Sequence, residues 1–212
     1  MVLFWRIVSF GQIIPIIYAL RNYRKLENDL RIFTVYMVAT VPYSAISWVA
    51  ARKVQNNLWV DNLFLPITAT LLIWMYSEWF KSPRIRLGLL IALILFFGTW
   101  VWELFVLHGL FNYSVIVKPF LDFILLSASC LAILYGSRDY ETTLDDQPRF
   151  WISSAILLTS SGTIMLHMVS RYLLVSVPPH LMLEFLLLQP VIDVVAYIMF
   201  IRAYYCQFQL AA

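Results

Sequence analysis

The sequence predicts an all-α polytopic membrane protein, a bundle of seven transmembrane helices. Seven apolar runs fill most of the 212-residue chain. Each has about 20 residues, the length that a helix needs to cross roughly 30 Å of hydrocarbon. Hydrophobic residues make up 62% of the chain and charged residues 13%, against about 25% charged residues in soluble domains. Tryptophans also recur near the predicted helix ends, where their rings prefer the headgroup layer; these are Trp5, Trp48, Trp59, Trp79 and Trp151.

The first apolar run begins close to Met1 and is followed, not preceded, by the basic residues Arg21, Arg24 and Lys25. A cleaved signal peptide carries its basic residues before its apolar core, so this run is predicted to be a retained helix. The other six runs are separated by short polar connections. The predicted spans are residues 3–20, 31–50, 60–80, 85–107, 114–135, 150–174 and 181–204, which form a single transmembrane domain over residues 1–212.

The distribution of lysine and arginine predicts the orientation, because cytoplasmic connections retain these residues. With seven crossings and the N-terminus outside, ten of the fifteen basic residues fall on the cytoplasmic side. The neighbouring pair Arg52 and Lys53 counts against this orientation. We predict a multi-pass protein of the bacterial inner (plasma) membrane with its N-terminus outside and its C-terminus in the cytoplasm. The five basic residues left outside are Arg6, Arg52, Lys53, Lys118 and Arg171.

A short internal similarity suggests a repeat. Tyr18-Ala-Leu-Arg-Asn-Tyr23 at the end of the first helix is similar to Tyr135-Gly-Ser-Arg-Asp-Tyr140 at the end of the fifth, and Pro66 has a counterpart at Pro190. This pattern predicts two parallel three-helix repeats joined by the fourth helix, a 3+1+3 plan that occurs among transporters. Chance similarity is the alternative.

Ionisable residues inside the predicted helices give the clearest functional clue, because a charge in the bilayer costs from about 2.5 kcal/mol upward and is usually paired or functional. In the predicted orientation they collect in the outer half of helices four to seven. Spacings of four residues place Thr163, His167 and Arg171 on one helix face, and Gln189 and Asp193 on another. The residues predicted to line an outward-facing ligand pocket are Glu103, Asp122, His167, Arg171 and Asp193.

Several other readings of these polar residues stay open. The groups could satisfy one another and only fix helix packing. Three histidines with nearby carboxylates could hold Zn²⁺ in a lipid hydrolase, although the compact spacing of known zinc motifs is missing. A haem between His108 and His167 is a further reading. The sequence predicts no catalytic residue, no metal ligand and no particular cofactor.

Four short, mostly aromatic motifs resemble those of an uncharacterised family of bacterial seven-span inner-membrane proteins. They are Leu30-Arg-Ile-Phe33, Asn57-Leu-Trp59, Trp79-Phe-Lys81 and Pro148-Arg-Phe-Trp-Ile-Ser153, and they are spread over most of the chain. This resemblance implies a fold but no activity. In its plan the chain is also distantly similar to the PQ-loop and SWEET-like proteins. It has Gln189-Pro190 where that group has Pro-Gln.

The sequence thus predicts a non-enzymatic membrane protein that binds a small amphipathic or anionic ligand and acts as a sensor or accessory subunit. The alternatives are a small-solute transporter with parallel repeats and a metal-dependent membrane lipid hydrolase. The expected partners are the lipid bilayer and a membrane or cytoplasmic protein. The small net charge of +3, with its basic residues scattered, gives no reason to expect a nucleic-acid partner.

Overall fold

The computed structural model describes residues 11–53, 56–107, 109–112, 114, 116–137, 143–176 and 188–210. In these ranges the chain forms seven α-helices and no strand. Short 3-10 turns occur at Tyr23–Lys25 and Leu144–Asp146, and a five-residue π-helix, Glu103–Leu107, extends the fourth α-helix. The α-helices are α1 Ile13–Arg21, α2 Asn28–Lys53, α3 Leu58–Trp79, α4 Pro83–Trp102, α5 Val117–Gly136, α6 Pro148–Ser176 and α7 Leu188–Leu210.

Six of these helices, α2 to α7, are long and apolar enough to cross a membrane. The most apolar is α4 with its π-helical extension, at a mean hydropathy of 2.2. The predictions of an all-α fold and of a multi-pass membrane protein are therefore confirmed. The described part of α1 has nine residues, and its predicted start at residue 3 lies outside the described residues. The seventh span and the repeat stay predictions, and so does the orientation of the termini.

Most predicted boundaries agree with the helices to within three residues. Apolar content predicts span length well because the hydrocarbon thickness sets it. The last helix is the exception, since it runs to Leu210, six residues beyond its predicted end at 204. Its predicted start at 181 lies outside the described residues.

The residue contacts divide the chain into two compact units. The central unit is Leu26–Ile124, and the terminal unit is Met1–Lys25 together with Leu125–Ala212. The prediction of a single domain stays a prediction. In the central unit α2 packs against α3, and α3 against α4. The core of this unit contains large side chains that are almost completely buried: Phe33, Met75, Tyr76, Phe80 and Phe96.

In the terminal unit α7 is the central helix, because both α1 and α6 pack against it. Small residues allow close approach, which membrane helices use in place of a hydrophobic driving force. A Cβ added at Gly162 of α6 would lie 2.5 Å from Cδ1 of Ile192 in α7. A side chain at Gly162 would therefore require Ile192 to move.

Candidate functional site: a polar cluster in the central unit

Six polar side chains of the central unit form what we term the polar cluster. They come from the second half of α2, the first turn of α3, the C-terminal end of α4 and the first turns of α5. Most carry side-chain hydrogen bonds that link segments far apart in sequence. The polar cluster consists of Tyr43, Asp61, Asn62, Glu103, Lys118 and Asp122.

Glu103 joins the end of α4 to the start of α5. It is 5% exposed and begins the π-helix, after which the chain turns at Gly109 with a φ of 70°. One carboxylate oxygen, Oε2, accepts hydrogen bonds from the amide N–H of Val117 at 2.8 Å and the hydroxyl of Ser114 at 3.0 Å. The other oxygen accepts the amide N–H of Ile116 at 3.2 Å. Glu103 thus caps the N-terminus of α5, where amide groups lack partners within the helix.

Asn62 holds the connection between α4 and α5 from the opposite side. Its side-chain amide donates to the carbonyl oxygens of Leu110 at 2.8 Å and Asn112 at 2.9 Å. Its own main-chain carbonyl accepts the indole N–H of Trp100 at 2.9 Å. Asn56 adds a further bond to the carbonyl of Phe111 at 2.9 Å. Side chains at the start of α3 therefore fix the path of this connection.

A small recess lies between Glu103 and Asn62. It is lined also by Trp100, Leu104 and Val117 among others, and its volume of about 10 Å³ is roughly what one water molecule needs. The arrangement around Glu103 therefore joins backbone segments together. Its space suits a water molecule better than an organic ligand.

The second half of the polar cluster contains more charge. The hydroxyl of Tyr43 in α2 donates to Oδ1 of Asp61 in α3 at 2.6 Å, and the Tyr43 ring stacks on Phe64 with centroids 4.3 Å apart. Lys118 interacts electrostatically with both Asp61 and Asp122. It precedes Asp122 by four residues, so the two lie on one face of α5. Two carboxyl groups from different helices thus lie within electrostatic range of one lysine side chain.

Asp122 has an oxygen without a hydrogen-bond donor. Its Oδ2 is enclosed by the protein and has no partner within the part of the chain that the structure describes. Enclosed carboxyl oxygens normally accept hydrogen bonds, because an unmet acceptor loses its interactions with water and gains nothing in exchange. Asp122 therefore has an unused hydrogen-bond acceptor inside the polar cluster.

The structure places the predicted site residues in both units. Glu103 and Asp122 belong to the central unit, whereas His167 and Asp193 belong to the terminal unit. In the terminal unit, Nδ1 of His167 lies 2.9 Å from the carbonyl oxygen of Thr163, and Gln189 donates to Asp193 at 3.0 Å. Both contacts follow the predicted spacing of four residues.

Arg171 lies in α6, but its side chain is not among those that the structure describes. His108, His180 and Glu184 also lie outside the described residues. The convergence of all five predicted site residues on one pocket stays a prediction. Across the described ranges no three His, Cys, Asp or Glu residues are arranged to hold a metal ion.

The sequence-based selection missed four members of the polar cluster: Tyr43, Asp61, Asn62 and Lys118. Asn62 follows Asp61 in the first turn of an otherwise apolar span, and two adjacent polar residues at such a position were the available signal. Lys118 was counted only as an outside charge. Tyr43 gave no signal, because the selection rested on ionisable groups in the predicted helices and on spacings of four residues, and a tyrosine fits an apolar helix without a partner.

The fold and the polar cluster define a multi-pass membrane protein that has a hydrogen-bonded, charged group of side chains in its central unit. Comparisons of the chain with models of protein families, with curated proteins and with solved structures find no match. The resemblance of the aromatic motifs to a bacterial seven-span family therefore stays a prediction.

Proposed function

We propose that the protein is a non-enzymatic integral membrane protein that binds a small amphipathic ligand at Asp61, Lys118 and Asp122 and acts as a sensor or accessory subunit. The observation that supports this proposal is the enclosed Oδ2 of Asp122, which has no hydrogen-bond donor among the described residues. An unmet buried polar group costs about 1–3 kcal/mol. A ligand that donates a hydrogen bond there would offset this cost on binding.

The charges of the central unit favour a ligand whose polar group donates hydrogen bonds. Asp61 and Asp122 both interact electrostatically with Lys118, so this part of the polar cluster contains more acidic than basic side chains. An anionic ligand would meet repulsion from these carboxyl groups. The anionic alternative depends instead on His167 and Arg171, which the sequence predicts to face the same pocket.

The sensor or accessory role follows from the arrangement of the chain in the predicted orientation. The polar cluster would then be at the outer face of the inner membrane. The connections around residues 22–27 and 137–147 would be in the cytoplasm, where they could contact a membrane or cytoplasmic protein partner. A change caused by ligand binding at the outer face could thus alter the contact with a partner at the cytoplasmic face.

Small molecules retained by the purified protein test this proposal. Wild type, Asp122→Asn and the control Glu78→Gln would be extracted from the same membranes, and their retained amphipathic molecules quantified by mass spectrometry. Glu78 is an exposed carboxylate of α3 whose bond is to Trp74. We expect a molecule enriched with wild type and Glu78→Gln and depleted at least tenfold with Asp122→Asn. The same molecules at equal abundance in all three samples would contradict the proposal.

Transport is the second candidate function. Pro42 and Pro66 lie inside α2 and α3, and α4 ends in a π-helix. Proline and π-helical turns are places where membrane helices bend and where functional sites occur. Protein reconstituted in liposomes would carry the retained molecule across the bilayer if it is a transporter, and would only bind it if it is a sensor.

Lipid hydrolysis is the remaining alternative, and no contact among the described residues favours it. Release of fatty acid or headgroup from phospholipid by the purified protein, lost after metal chelation, would establish it in place of the sensor.

A further inference from the structure

The turn between α3 and α4 has a high density of positive charge. Residues 80–82 connect Trp79, the last residue of α3, to Pro83, the first of α4. Lys81, Arg84 and Arg86 lie in or directly after this turn and are exposed. We call these three residues the basic turn. The nearest acidic residue along the sequence is Glu78, which accepts a hydrogen bond from Trp74 one turn earlier.

The basic turn is held in a fixed shape. Phe80 is 1% exposed, and its carbonyl oxygen accepts a hydrogen bond from Nε of Arg86 at 2.6 Å. The amide of Arg86 bonds to the carbonyl of Ser82 at 3.2 Å. The turn is therefore anchored by a buried side chain, while its charges face outward.

No described residue neutralises the charges of the basic turn. Among the residues that the structure describes, Lys81 and Arg84 form no hydrogen bond or ion pair, and Arg86 contacts a carbonyl only. Other basic residues are engaged: Arg52 stacks on Trp48 at 3.9 Å, and Arg31 and Arg149 have partners. Unpaired, exposed cations that sit close together attract an anion.

The N-terminus of α4 adds to this attraction. Its first turn contains no acidic residue, and no side-chain hydrogen bond from Ser82 caps it in the described structure. The free amide groups of a first turn carry partial positive charge and bind anions, phosphate in particular. The helix end and the three side chains therefore favour the same kind of ligand.

The surface below the basic turn is apolar. Leu87, Ile91 and Ile94 follow Arg84 by three, seven and ten residues, so the four side chains lie along one face of α4. These three apolar side chains are 57%, 49% and 61% exposed. The turn also joins two helices that can each span the membrane, which places it at the level of the lipid headgroups. A ligand with a charged head and an apolar chain fits this face better than a free anion does.

We propose that the basic turn and the adjoining face of α4 bind an anionic phospholipid, with Lys81 and Arg84 on its phosphate, Arg86 holding the shape of the turn, and Leu87, Ile91 and Ile94 along an acyl chain. This site is separate from the polar cluster and does not depend on the function proposed for it. In the predicted orientation it faces the cytoplasmic leaflet, where anionic lipids attract basic residues.

Lipid titrations of the full-length protein in a neutral detergent test the site. Phosphatidylglycerol binding would be followed by native mass spectrometry for wild type, for Lys81→Gln with Arg84→Gln, and for Arg52→Gln with Lys53→Gln. The control removes the same charge at the C-terminal end of α2. We expect about twenty-fivefold weaker binding in the first double variant, since each basic residue near an anionic surface contributes about a factor of five. The control should bind like wild type.

Three further measurements separate the outcomes. Phosphatidylcholine should bind at least tenfold more weakly than phosphatidylglycerol, and added salt should weaken phosphatidylglycerol binding in wild type. Glycerol phosphate, which has the head but no acyl chain, should compete poorly. Equal loss in both double variants, equal binding of the two lipids, or competition by glycerol phosphate at the lipid's own concentration would each overturn the proposal. The melting temperature of each variant shows whether it is folded.

Discussion

The carboxylate of Glu103 and the amide of Val117 are joined by a hydrogen bond of 2.8 Å that spans fourteen residues. A helix is usually capped by a residue directly before it. Here the cap of α5 comes from the preceding membrane helix, so the start of one helix depends on the position of another. The same carboxylate also holds Ser114 and Ile116.

Replacing Glu103 by alanine should destabilise the protein. Three hydrogen bonds are lost, and at least one buried amide keeps no acceptor, so we expect a loss of about 2–4 kcal/mol in the free energy of unfolding. Glu103→Gln keeps one acceptor oxygen and should lose about half as much. Thermal unfolding in detergent measures both, with Glu78→Ala as the exposed control. If Glu103→Ala and Glu78→Ala unfolded at the same temperature, the capping role would be refuted.

Asn62 should tolerate neither alanine nor aspartate. Its amide nitrogen donates to two carbonyl oxygens, those of Leu110 and Asn112, and aspartate offers no donor at that position. We expect each variant to lose about 1–3 kcal/mol of stability and to show faster hydrogen exchange in residues 109–112. Asn56→Asp, which removes one exposed bond to Phe111, is the matched control. An aspartate variant that behaved like wild type would show that the contacts of Asn62 are dispensable.

Replacing Gly162 by a residue with a side chain should destabilise the packing of α6 against α7. Gly162→Leu is expected to cost about 1–3 kcal/mol, as overpacked cores do. Gly162→Ala should be milder, because Cδ1 of Ile192 is the end of a flexible side chain. Gly98→Ala is the control: no described atom lies within 4 Å of its added Cβ.

The clash at Gly162 can be tested by a second substitution. Ile192→Val removes Cδ1, the atom that an added Cβ would meet. We expect the double variant Gly162→Ala with Ile192→Val to lose less stability than the sum of the two single changes, by about 0.5–1 kcal/mol, since residues in contact are coupled. Strict additivity would argue against this contact.

The predicted orientation can be read from cysteine labelling. Cys130 and Cys206 are first replaced by alanine. Single cysteines at Lys53 and Lys81 then place exposed thiols before and after the third predicted span, residues 60–80. A membrane-impermeant maleimide should label Lys53→Cys from outside the inner membrane and Lys81→Cys only after lysis. The reverse pattern would contradict the predicted orientation.

Helix positions in this protein could be predicted because they depend on a local quantity, the length of each apolar run. The end of α4 is a feature that the apolar content does not predict. Nothing local marks the π-helix at Glu103–Leu107, since its sequence is as apolar as the α-helix before it. The polar cluster was predictable only in part. Glu103 and Asp122 stood out as charges within apolar runs, whereas the part played by Asn62 depends on a connection 48 residues away.

The distance along the chain between Glu103 and its donors has a consequence for biogenesis. When α4 reaches the translocon, the segment that carries the amide groups around this carboxylate is still inside the ribosomal exit tunnel. An ionisable group at that depth disfavours partition into lipid. Lateral release of α4 should therefore wait until the following segment has emerged, so that the two helices enter the bilayer as a pair.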